Sequence, residues 1–97
     1  MRAGEKDLPW NRLPGGDLVQ QGLKDLAQGV LSEPALLVSI GAPRLRREGF
    51  AIPLILDNPE HRLYFMLAAQ HGNAAHSRYN ALVRKLVSFE HSLPCAT

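Results

Sequence analysis

Between residues 59 and 93 the chain carries two apolar runs of different pattern, and the difference predicts how the fold is organised. Leu63, Tyr64, Phe65, Met66, Leu67, Ala68 and Ala69 are contiguous and include no β-branched residue, which favours a helix over a buried strand. Asn58-Pro59 starts that helix: an Asn side chain accepts from an orphan N–H, and proline fits the first helical position, where no donor is needed. Gly72 supplies a left-handed stop. At about 100° per residue these side chains point all round the axis, so the helix predicted over 59–71 is expected to be enclosed from every direction. The second run is amphipathic. Ala75, Tyr79, Leu82, Val83, Leu86, Phe89 and Leu93 fall within an arc of about 120° on a helix predicted over 74–92. Ser77, Arg78, Asn80, Ala81, Arg84, Lys85, Ser88 and His91 lie on its other face, and Pro94 is expected to end it. Glu90 breaks the pattern by projecting towards the apolar stripe. Two readings follow: a carboxylate near a frayed end that reaches solvent or pairs with an arginine such as Arg62, or a buried acid with a raised pKa and a chemical role.

Earlier in the chain the same reading gives two more helices. Residues 1–16 end in Leu-Pro-Trp-Asn-Arg-Leu-Pro-Gly-Gly, whose prolines and glycines predict a flexible arm rather than a regular element. Trp10 and Leu13 need an apolar surface to dock on, either this chain's own core or a second subunit or partner. Asp17 is placed to cap a helix over 18–30, with Leu18, Val19, Leu23, Leu26 and Val30 on one face. Mid-helix glycine costs roughly 1 kcal/mol against alanine, so Gly22 and Gly29 suggest a close approach by another helix, with chance or a helix end at Gly29 as the alternatives. Ser32 opens a second helix over 33–41 that Ala35, Leu36, Leu37, Val38 and Ile40 make mostly buried. Pro43 predicts a break at Ala42, then a short helical turn over 44–48 stopped by Gly49. The apolar stretch 50–56, interrupted by Pro53, reads as an extended segment crossing from the first helical pair to the second.

The expected architecture is all-α: a small bundle of four helices plus a short helical turn, with arm 1–16, helical domain 17–93 and a loose tail 94–97. Ninety-seven residues with 45% hydrophobic content suit one core of ordinary stability. The formal charge of +2 is too small to indicate nucleic acid or membrane binding by itself. Its distribution is uneven, however: residues 1–33 hold four basic and five acidic groups, and 34–97 hold seven and four. A single cysteine, Cys95, excludes an internal disulfide and a cysteine-based zinc cluster, and the reducing cytoplasm is the expected compartment. No membrane span or export signal is legible.

Catalytic and metal chemistry find little support. His61, His71, His76 and His91 make no i, i+4 pair of the kind a helical metal site uses. Ser39, Ser77, Ser88 and Ser92 have no nucleophile-elbow context, and Gly15-Gly16-Asp17 puts an acid where a phosphate would sit. No enzyme activity, cofactor or metal is expected. Arg44, Arg46 and Arg47 crowd one turn, while Arg78, Arg84 and Lys85 lie on the exposed side of the last helix, which makes these six the candidate contacts for an anion or nucleic acid. Residues 35–47 have a helix–break–helix rhythm like that of helix-turn-helix proteins, but the break contains proline and the first helix is too apolar. The leading expectation is a non-enzymatic association or regulatory module acting through helical surfaces, as a homodimer or with a partner protein in which Trp10 and Leu13 could dock.

Overall fold

The structure is a computed structural model that describes residues 10–52 and 55–96. Among these residues it is all-α, as expected. Four helices, α1 (Gly16–Ala27), α2 (Glu33–Arg47), α3 (Pro59–His71) and α4 (Ala75–Ala96), are joined by short segments that include 3-10 turns at Trp10–Arg12 and Gly72–Ala74.

α1 begins on Gly15 in the left-handed region, with no side-chain cap. Asp17 therefore stands in the first turn, where its charge opposes the positive helix end, rather than at the cap. The helix stops three residues short of Val30. Gly29 at φ 72° turns the chain left-handed, Val30 N–H donates to Asp25 O at 2.8 Å and Gly29 N–H to Leu26 O at 3.1 Å, the paired bonds of a Schellman close. Ser32 then caps α2. Its hydroxyl accepts from Ala35 N–H at 3.1 Å and donates to Asp25 Oδ2 at 2.6 Å, which clasps the end of one helix to the start of the next.

The break expected at Ala42 does not occur, and the separate turn over 44–48 is the last turn of a continuous α2. Pro43 forfeits one backbone bond, at a cost of roughly 3 kcal/mol in a helix interior. Its ring lies on the solvent side, and a break would detach the fully buried Leu45 from Leu36, Leu37 and Val38. Each such side chain contributes about 1.5–3 kcal/mol by burial, so packing along the whole of α2 outweighs the proline. Gly49 ends the helix as predicted, with Phe50 N–H on Leu45 O at 3.1 Å.

Phe50 and Ile52 are buried against the core, while Pro53 and Leu54 of the expected crossing segment lie outside the described residues. The described part of the segment is held by hydrogen bonds from helix side chains. Arg46 Nε donates to Ile52 O at 3.0 Å, and Nη2 donates to the same oxygen. Leu56 N–H donates to Ser39 Oγ at 3.1 Å, while Ser39 Oγ donates to Ala35 O at 3.0 Å. Ser39→Ala is therefore expected to strand the Leu56 N–H and lower the unfolding free energy by about 1–3 kcal/mol, as read by urea denaturation. A change within a few tenths would show that this clasp does not position α3.

α3 starts at Asn58-Pro59 and stops at Gly72, where the sequence predicts, but the Asn58 side chain makes no cap hydrogen bond: its backbone is left-handed at φ 50°, and Pro59 alone carries the expected start chemistry. Its surroundings differ from the prediction. Only Leu63 and Leu67 are buried, whereas Tyr64 and Phe65 face water, so α3 is not a central helix enclosed on all sides. The central element is α2, which packs on α1, α3 and α4. α4 contributes Ala75, Leu86, Phe89 and Leu93 to the core and runs through Pro94 to Ala96 instead of ending before it. That proline removes only one bond, in the last turn.

The arm predicted over 1–16 is ordered from Trp10 onward, and residues 1–9 lie outside the described residues. Trp10 stacks on Phe89 with ring centroids 5.7 Å apart and planes 5° apart, and Phe50 tilts against both at 6.1 Å. The turn can close this tightly because Gly16 has no Cβ. One placed there would stand 2.3 Å from Trp10 O.

Candidate interaction surface

α3 rests on α2 and α4 through the buried Leu63 and Leu67, one turn apart, with Met66 and Ala68 half-buried against the same core. Tyr64 and Phe65 stand about 100° and 200° round the axis from Leu63. Phe65 is accordingly 63% exposed and Tyr64 41%, on the middle turns of a helix rather than on a loose end. Both rings are braced. His61, one turn earlier, meets Phe65 edge-on with centroids 4.6 Å apart, and Tyr64 packs at 5.9 Å against Tyr79 of α4. Burial pushes the Tyr79 hydroxyl above its ordinary pKa, with Glu60 adding to the effect, so the Tyr79 ring stays neutral at physiological pH. The exposed Ala69 and the half-buried Ala68 follow Phe65 at one turn, leaving a low step beside a projecting ring.

The residues singled out for other roles are placed differently. Trp10, weighed as a partner-docking residue, is only 9% exposed within this chain's own core, and Leu13 is half-buried against that core. Both are occupied in cis. Of the six candidate anion contacts, Arg46 holds Ile52 O, while Arg44 and Arg47 act on Glu90. On α4, Arg78 and Lys85 lie roughly 20° apart, but Arg84 is roughly 100° from Lys85. The three basic residues of α4 thus do not all share one direction.

Comparison with known proteins adds no identity: no protein-family model, curated protein or solved structure matches this chain. Among the described residues, no group of three or more His, Cys, Asp or Glu side chains is placed to hold a metal ion. No helix among them is long and apolar enough to cross a membrane. His76 and Asn80 share a hydrogen bond at 3.2 Å on the outside of α4.

Sequence reasoning found Glu90 but not its neighbours. The side chain is 9% exposed at the α2–α4 seam, and the cations near it are Arg44, His91 and Arg47. Arg62 instead donates to Asp57 O at 3.3 Å. Burial raises the Glu90 carboxyl above the usual carboxylate range, and those three cations only partly offset it. The signal in the sequence was the direction of Glu90 on its helix; the identity of its neighbours depends on which helix packs there.

Proposed function

We propose that this chain is a non-enzymatic association module whose contact surface is the outer face of α3, and that it pairs there with a second copy of itself. The observation supporting this reading is Phe65, a large apolar side chain held mostly in water on the middle of a regular helix. Exposed aromatic clusters are the usual anchors of interfaces, and an anchor already braced by His61 loses little freedom on binding.

Self-pairing is favoured by the shape of the face. In a two-fold contact each copy offers the same patch to the other. In an antiparallel pairing of two α3 helices, the Phe65 ring of one copy would fit over the Ala68-Ala69 step of the other. Folding does not require the partner. The chain exposes 5869 Å², close to the roughly 5,500 Å² typical of a monomer of this mass, so the core is already covered. Phe65 and Tyr64, 63% and 41% exposed out of about 150–250 Å² each, offer roughly 160–260 Å² of new burial, a modest part of the roughly 800 Å² a partner contributes to a standard interface. The pairing is accordingly reversible, in the micromolar range, and regulated by concentration.

Size-exclusion chromatography with light scattering across about 5–500 μM tests this. The native chain should move from monomer towards dimer, and Phe65→Glu should stay monomeric while keeping its melting temperature. A native chain that remains monomeric throughout, or a Phe65→Glu variant that dimerises as well as the native chain, overturns the proposal.

A further inference from the structure

Glu90 occupies a place that an acid on an apolar helix face rarely tolerates. α2 and α4 meet at Gly41, where an added Cβ would lie 2.8 Å from Glu90 Oε2 and 2.9 Å from Leu86 Cδ1. Glu90 and Leu86, one turn apart, therefore straddle a notch that exists only because Gly41 lacks a side chain. Among the described residues, no hydrogen bond or ion pair ends on the Glu90 carboxylate. Its oxygens are nevertheless not wholly sealed from solvent, which gives a proton a way in. The charged groups acting on it are Arg44 and Arg47, one and two turns beyond Gly41 on α2, and His91 beside it on α4. Immediately before it in the chain, Phe89 carries the stacked Trp10.

We infer that Glu90 is a proton-operated latch on the α2–α4 seam: protonated, it lies in the Gly41 notch, and ionised, it turns outward to Arg44 and Arg47 and loosens the Phe89–Trp10 stack. The protonated carboxyl is compatible with an apolar notch, whereas a carboxylate there is only partly hydrated and accepts from no donor among the described residues. Two guanidinium groups whose charge already acts on Glu90 give the ionised form somewhere to go. Because the group sits above its ordinary value of 4.5 in the folded chain, the fold binds this proton more tightly than the unfolded chain does. Stability from this site is therefore complete below the ordinary carboxylate pKa, and is lost as pH rises through the folded-state pKa.

Trp10 is the only tryptophan, so its emission reports on the latch directly. A titration from pH 3 to 8 should show a native-state emission change with a midpoint above 4.5. In Glu90→Gln the change should vanish, with emission fixed at the acid-form value. Arg44→Gln should move the native midpoint higher, because it removes a cation that favours the ionised form. Thermal melts supply a second reading: Glu90→Gln should melt a few degrees above the native chain at neutral pH, and the gap should close in acid. A flat native titration, a midpoint at or below 4.5, a transition that survives in Glu90→Gln, or a melting gap independent of pH would each overturn the latch.

Discussion

Phe89→Ala is expected to lower the unfolding free energy by about 3–5 kcal/mol, the range for truncating a fully buried aromatic residue. Phe89 is completely buried and is the one ring that touches both Trp10 and Phe50. Removing it leaves a void between α4, the segment after α2 and the N-terminal turn. Each aromatic contact contributes about 0.5–1.5 kcal/mol beyond area burial, and both are lost together. Against a total stability of about 5–15 kcal/mol, the variant stands near the edge of folding. Urea denaturation followed by circular dichroism measures the loss, while Trp10 emission in the native baseline should shift to the red as its stacking partner disappears. A loss below about 1.5 kcal/mol would mean that the turn is not clamped where the structure puts it.

Gly22→Ala should be costly in a different way. A Cβ at Gly22 would stand 2.3 Å from Pro34 O, 2.4 Å from Val38 Cγ2 and 2.8 Å from Pro34 C. Two of those atoms are backbone and cannot swing aside, so α1 and α2 must separate along the seam that also buries Val19 and Leu26. Overpacking of this kind costs typically 1–3 kcal/mol, occasionally more, and outweighs the roughly 1 kcal/mol that alanine gains over glycine in helix propensity. Gly29→Ala is the control. No atom lies within 4 Å of that position, and only the strain of φ 72° opposes the change, at about 1–2 kcal/mol. Thermal melts of the two variants, with one-dimensional NMR to confirm native packing, separate the mechanisms. A Gly22→Ala chain that melts at or above the native temperature would contradict the close approach of the two helices.

Those two glycines show how far the sequence could be read. Their spacing and cost raised a close helix approach and a helix end as alternatives, and the structure assigns one to each residue. Signals that act within a turn or two were legible: Ser32 before Glu33, Asn58 before Pro59, and the stops at Gly49 and Gly72 all stand where local chemistry puts them. Properties that depend on neighbours from elsewhere in the chain were not. Pro43 is a local signal for a break, but its weight depended on how much of α2 would be buried on both sides of it. The all-round apolar character of α3 stated what that helix could tolerate, not what surrounds it, and Phe65 was read as interior for that reason. The direction of Glu90 followed from periodicity alone, whereas replacing Arg62 with Arg44 and Arg47 as its neighbours required the order of packing. Trp10 needed an apolar surface, and nothing local could say that Phe89, far along the chain, would supply it.

The position of α2 between the other three helices divides the chain into regions of unequal tolerance to change. Almost any enlargement of Leu36, Leu37 or Val38 has to be absorbed by a neighbour already in contact, so that helix has few acceptable alternatives at each core position. The outward turns of α3 meet no such limit, and Phe65, Ala69 and Gln70 can be exchanged without disturbing the scaffold. That face can therefore be redesigned to take a new partner while the rest of the protein folds as before.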